Sequence, residues 1–215
     1  MANINGSFGL RPLAKAGQGA NSTGNANYTM YEIAAANTNA IYKGSPVIPL
    51  STGYIDIIGS ATGGAVSLCG VFMGCEYVAS ATGKMTFSNY WPGSGADSNH
   101  PVKAYVNDDP NTLFVIASSA TWTSKATALA DRFKNAQFAT ATSGTTATGL
   151  SSCAINVSTA AATKTFPMRI LGWVDDPSNA DFTAAGVGVI VRLVNHFNAT
   201  NGSADSGTTI DSLGI

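Results

Sequence analysis

The chain has 215 residues and a mass of 21.9 kDa, enough for one all-β domain or two small lobes. Hydrophobic residues make up an ordinary 45%, but charged residues only 11%, where a typical domain carries about 25%. With a net charge of −1 and no basic stripe to neutralise phosphates, nucleic acid is set aside as a partner. No apolar run reaches the roughly 18 residues of a membrane helix, so a membrane is set aside too.

Small residues (Ala, Thr, Ser, Asn, Gly) replace the missing charge, not long apolar runs. Such a surface suits packing against identical neighbours, and near-zero net charge promotes association. The opening residues Met1 to Gly6 have no basic stretch followed by an apolar core. The expectation is therefore no secretory signal, with synthesis and retention in the cytoplasm until assembly. Cys69, Cys75 and Cys153 are an odd count and read as small buried hydrophobes, not a disulfide framework. In one extended strand Cys69 and Cys75 would lie roughly 20 Å apart, too far to bridge.

Residues 1–28 read as an extended, flexible N-terminal arm. An apolar cluster, Phe8-Gly9-Leu10-Arg11-Pro12-Leu13, precedes a Gly/Asn/Ser/Ala stretch from Gly17 to Asn27. Short extended segments follow. Tyr28 to Ile33 alternates and carries aromatics. Pro46 to Leu50 follows a Lys43-Gly44-Ser45 turn, and its prolines predict an edge strand. Tyr54 to Ile58 is next, then the long run Val66 to Val78, in which Gly70 and Gly74 predict bulges or close backbone approach.

Tyr90 to Gly95 reads as a long loop. Val102–Val106 and Thr112–Ala117 read as strands around an Asn107-Asp108-Asp109-Pro110-Asn111 turn. Ser124 caps a predicted short helix through Ala126, Leu129, Ala130 and Phe133. Gln137 to Ser152 reads as a connection. Strands resume at Ala154–Val157, Met168–Val174 and Val187–Phe197, and 198–215 is a polar tail.

The fold class expected is mainly β: a β-sandwich or small barrel-like body with a flexible arm and at most one short helix. Residues 29–118 would form a first β-rich lobe and 119–197 a second β-rich segment packed on it. Asp108-Asp109-Pro110 and Asp175-Asp176-Pro177 echo one another. Good turn chemistry accounts for both without a duplication.

The residues offer no catalytic, cofactor or metal constellation, and the expectation is a protein that is not an enzyme. His100 and His196 lack partners at metal-ligand or triad spacing. The two aspartate pairs lie outside any twelve-residue calcium loop and lack the opposed placement of glycosidase carboxylates. Gly63-Gly64 is not followed by the Lys of a phosphate loop, and no Gly-x-Ser-x-Gly elbow occurs. The Asn-x-Ser/Thr triplets beginning at Asn5, Asn21, Asn27, Asn156, Asn198 and Asn201 follow from composition.

The order of several short motifs carries a resemblance over most of residues 5–197. They are Asn5-Gly6-Ser7-Phe8-Gly9-Leu10-Arg11-Pro12, the Tyr28–Ile33 strand and Lys43-Gly44-Ser45-Pro46-Val47. Gly70-Val71-Phe72-Met73-Gly74 follows, then Val106 to Pro110 before Leu113-Phe114, then Arg169 to Val174 with Asp176-Pro177-Ser178-Asn179. The chain resembles head-associated capsid decoration (cement) proteins of tailed bacteriophages, departing at Ser45, where that family carries Asp. The resemblance implies a structural virion protein on the outer capsid surface. It would be made in the host cytoplasm, with the major capsid protein as partner and a homotrimer as its own assembly. Phe8, Leu10, Arg11 and Pro12 would be its docking residues: Phe8 and Leu10 in an apolar groove, Arg11 on a carboxylate, Pro12 stiffening the arm. The alternatives are a minor head, neck or tail protein, or a glycan-binding β-sandwich module with Tyr90 and Trp91 stacking on sugar.

Overall fold

Alternating apolar residues make strands wherever one face can be buried, and most of this chain is built that way. The computed structural model describes residue 3 and residues 6–16, 28–64 and 66–199. Its strands are β1 (Arg11–Lys15), β2 (Thr29–Ile33), β3 (Ile41–Tyr42), β4 (Pro46–Pro49), β5 (Ile55–Ile57), β6 (Gly70–Val78), β7 (Met85–Ser88) and β8 (Tyr90–Trp91). β9 (Val102–Asn107) and β10 (Thr112–Ala117) lead to the helix α1 (Lys125–Ala130). β11 (Asn135–Ala139), β12 (Gly144–Thr145), β13 (Leu150–Ser151), β14 (Ala154–Ala161), β15 (Met168–Trp173) and β16 (Gly188–Leu193) complete the described residues. The protein is mainly β, with a single short α-helix among the described residues. Ser124 caps that helix through a reciprocal box with Thr127.

Two antiparallel sheets carry the structure. The first runs β2-β9-β6-β4-β5, with β7 added beside the C-terminal half of β6. The second runs β1-β10-β16-β15-β11-β14. Without β1, the second sheet has the same order as the first: first strand, fifth, fourth, second, third. Each also shifts register at one point between its fourth and fifth strands, at Phe72/Gly74 and at Ile170/Gly172. Both sheets curl. β2 comes into contact with β5, and Ser118 after β10 bridges in parallel to Ile155 of β14, so each sheet approaches a barrel without closing. The strand order thus repeats, but the Asp-Asp-Pro echo does not mark it. One copy joins the two sheets after β9, and the other lies inside the second sheet after β15.

One continuous hydrophobic core runs through both sheets, with Phe72, Trp91 and Val106 from the first and Phe114, Phe138 and Val191 from the second. Backbone hydrogen bonds stitch the halves together. Lys43 N donates to Gly149 O (2.9 Å), Phe138 N to Thr62 O (3.1 Å), and Leu68 N to Asn195 O (2.8 Å).

Several expectations are corrected. Residues 10–16 are not arm: β1 pairs with β10, and Leu10 N donates to Gly44 O at 2.9 Å. Asn3 is buried too, its Nδ2 donating to Asp181 O at 2.6 Å. The Gly17–Asn27 part of the predicted arm lies outside the described residues, as does the tail beyond Ala199. The boundary at 118 moves to the Asp108–Asn111 turn, because β10 pairs with β16 and β1 and so belongs to the second sheet. β4 is interior, not an edge. Its prolines are tolerated because Pro46 pairs only with β6 and Pro49 only with β5. Tyr90-Trp91 is the strand β8, paired with β3. The Gln137–Ser152 connection contains most of β11, the hairpin β12-β13, and small buried residues whose pattern is weak in hydrophobicity.

Gly70 shows why glycine stands in the long apolar run. Its φ is +153°, and a Cβ there would lie 2.2 Å from the Asn107 carbonyl oxygen.

Candidate docking surface

The four residues expected to dock divide between core and surface. Leu10 is buried in this chain's own core, so it is unavailable to fill a partner's groove. The physical reason is the open edge of β10, which captures β1 and draws Leu10 inward. Pro12 lies within β1 opposite Phe114. Phe8 and Arg11 remain at the surface together, the guanidinium 4.1 Å from the ring centroid. That contact leaves the in-plane N–H groups of Arg11 able to meet a partner's carboxylate. The register shift between Pro12 and Ala14 turns the neighbouring Leu13 outward, 48% exposed.

A larger surface lies on the outer face of the first sheet. Strand alternation places Val102, Ala104 and Val106 of β9 in the core and turns Lys103 and Tyr105 out. The cross-strand register then fixes their neighbours. Glu32, Lys103, Glu76 and Phe87 form one row across β2, β9, β6 and β7. Met30 lies opposite Tyr105, and Met85 opposite Val78. Phe87 is 71% exposed, Met30 60% and Met85 53%. Three large apolar side chains therefore stand in solvent on one face.

The middle of this face is a fixed polar group. Tyr105 Oη donates to Glu76 Oε2 at 2.7 Å, and Lys103 Nζ lies 3.4 Å from Glu76 Oε1. The Tyr105 hydrogen bond, helped by Lys103, holds the Glu76 carboxyl below its ordinary value against a smaller opposing effect of burial. The same bond raises the Tyr105 phenol. Glu76 stays ionised, and Tyr105 stays a donor, across the neutral range. The face is thus an apolar rim around a pre-arranged charge pair, built on strands and not on loops.

The other sequence candidates are accounted for by packing. Trp91 is fully buried and meets Tyr77 edge-on at 5.4 Å, while Tyr90 stacks on Tyr42 at 5.5 Å. Trp91 is therefore closed to a sugar, and one face of Tyr90 is covered. The three cysteines are buried and unpaired, and burial pushes their thiols up, to about 11 for Cys69 and about 12 for Cys75. His100 does have an acidic neighbour, its Nδ1 3.1 Å from Asp97 Oδ2, at an exposed turn. His196 is buried; its Nδ1 accepts from Asn198 N at 3.1 Å, and its Nε2 has no partner.

The Asp-Asp pairs do structural work. Asp108 accepts from Thr29 Oγ1 (2.9 Å) and Tyr31 Oη (2.8 Å), and Asp109 lies 2.7 Å from Lys15 Nζ. Asp176 caps the turn Pro177–Asn179 by accepting from Ser178 N. Among the described residues no three His, Cys, Asp or Glu side chains converge as metal ligands, and no helix is long and apolar enough to cross a membrane.

The sequence reading passed over Met30, Met85 and Phe87. The alternation in Met85-Thr86-Phe87-Ser88 was the available signal, but a four-residue strand is a faint one. Comparison of this chain with known protein families, curated proteins and solved structures finds no match.

Proposed function

We propose that this chain is a structural virion protein that binds the outer surface of a phage capsid and stabilises it as a decoration protein. The observation that carries the reading is the outer face of the first sheet, where Met30, Met85 and Phe87 surround the Tyr105–Glu76–Lys103 group. Aromatic anchors dominate protein interfaces, and a backbone already fixed in strands needs no ordering when the face is covered. The partner proposed is the major capsid protein, on the strength of the motif order in the sequence. The surface pair Phe8–Arg11 with Leu13 forms a second, smaller contact.

The mechanism is physical. A stable contact buries roughly 1,200–2,000 Å² in total. Spread over neighbouring capsid subunits and repeated around a trimer, modest contacts hold as one through multivalency. The sparse charge of the chain, 11% of residues, limits the desolvation cost of close packing.

The test is the molar ratio of this chain to the major capsid protein in purified particles, by quantitative mass spectrometry. A ratio near one, or a simple fraction, is the expected result. A ratio on the scale of a few copies per particle would move the chain to the neck or tail. Absence from the particle would overturn the reading.

A further inference from the structure

A cleft of about 620 Å³ opens where the two halves meet, lined by Thr38, Asn39, Asp56, Thr142, Ser143 and Ile48 among others. Its volume falls in the range of small-molecule sites, roughly 300–1,000 Å³. The polar centre is Asp56 on β5. Its Oδ1 accepts from Asn37 Nδ2 (2.8 Å) and from Ile57 N (2.7 Å), and its Oδ2 accepts from Asn39 Nδ2 (2.8 Å). Asn39 N in turn donates to Asn37 Oδ1 at 2.7 Å. Carboxylate and amides are thus locked in one arrangement before any ligand arrives. The Thr38 backbone packs closely on Gly93, where a Cβ would lie 2.5 Å from the Thr38 carbonyl oxygen.

Unused hydrogen-bonding capacity lines the same cleft. Each Asp56 oxygen keeps acceptor capacity beyond these bonds, and the Asn39 Oδ1 and the hydroxyls of Thr38, Thr142 and Ser143 take part in none of the side-chain hydrogen bonds among the described residues. No Lys, Arg or His lines the cleft. Ile48, paired across the strands with Asp56, supplies an aliphatic wall. A phosphate or carboxylate ligand would meet the uncompensated Asp56. A neutral polyol fits the set: adjacent hydroxyls donate to the carboxylate and the Asn39 carbonyl and accept from the threonine and serine hydroxyls, while its C–H face lies on Ile48.

The geometry points to a carbohydrate-binding cleft centred on Asp56 and Asn39, with neutral sugars as its ligand class. This site is distinct from Tyr90 and Trp91 and does not depend on capsid docking.

The test is a titration of the full chain with the methyl glycosides of glucose, galactose, mannose and N-acetylglucosamine, and with butylammonium as a cationic probe, followed by amide chemical shifts. At least one glycoside is expected to shift residues 37–39, 56–59 and 142–144, with a Kd on the order of 1 mM. Binding should weaken about tenfold in D56N. In T38V and S143A, whose hydroxyls hold nothing in the fold, it should weaken while the melting temperature stays put. These two variants keep the test decisive if D56N fails to fold. No response to any glycoside, a response mapped elsewhere, or saturation by butylammonium alone would overturn the proposal.

Discussion

The two sheets share a strand order and the position of a bulge, yet they finish the same plan differently. In the first, Gly74 sits at the bulge with φ +147°, and a Cβ there would lie 3.1 Å from the Ser88 carbonyl oxygen of β7. In the second, the equivalent Gly172 has no atom within 4 Å of that point. The added strand β7 is the reason: it closes over the first bulge and leaves nothing comparable over the second. The outer faces diverge as well. The first carries Met30, Met85 and Phe87, whereas the second places Arg192 directly opposite Arg169, with Arg192 Nε held by the Pro110 carbonyl at 2.9 Å. A repeated scaffold thus carries two different surfaces. The function is to be sought in what decorates each sheet, not in the strand order.

The largest expected effect tests whether the sheets are one unit. Phe72 and Phe138 are fully buried in the common core. F72A and F138A should each cost about 3–5 kcal/mol, and calorimetry should show a single transition lowered by either. Two separate transitions, each answering to one variant, would make the sheets independent lobes.

Next comes acid. His196 follows β16 and bridges to Leu68 just before β6, so it sits at the join. Burial pushes it down to about 4 from an ordinary 6.5. The folded state holds it neutral, so between these values only the unfolded chain takes up the proton. The stability it contributes is complete above pH 6.5 and declines as pH falls toward 4, by on the order of 3 kcal/mol. Urea midpoints at pH 7 and pH 4.5 measure the loss, and H196Q should flatten the slope in that window. An unchanged slope would remove His196 from the join's energetics.

A smaller effect separates the bulges. G74A should cost about 1–3 kcal/mol for its backbone conformation, whereas G172A should stay within about 0.5 kcal/mol. Equal costs would mean that the positive φ of Gly74 is not what separates the bulges. The smallest effect on stability is expected for M85S/F87S, within about 0.5 kcal/mol, alongside loss of retention on capsids.

Much of the fold was legible because strands with one buried face announce themselves. β2, β9, β10 and β15 follow apolar alternation or apolar runs, and Ser124 signals its helix through the cap. What escaped had a tertiary cause. β11 buries Asn135, Ala136 and Phe138, too few apolar atoms to stand out in a Thr/Gly/Ala-rich stretch. β8 becomes a strand only because β3 lies beside it. Leu10 looked like an anchor for a partner because nothing local shows that β10 leaves an edge open for β1. The candidate surface was harder still. It draws Met30, Tyr105, Glu76 and Phe87 from four strands, and only their register brings them to one face.

The central claim is that the outer face of the first sheet is the side that meets the capsid. Hydroxyl-radical footprinting of this chain, free and on particles, tests it most directly, since Met30, Met85 and Phe87 are reactive side chains in exposed positions. The account predicts that all three lose reactivity on the particle while Phe133, exposed beside β15 of the second sheet, keeps it. Unchanged reactivity at Met30, Met85 and Phe87 on a fully decorated particle would contradict it.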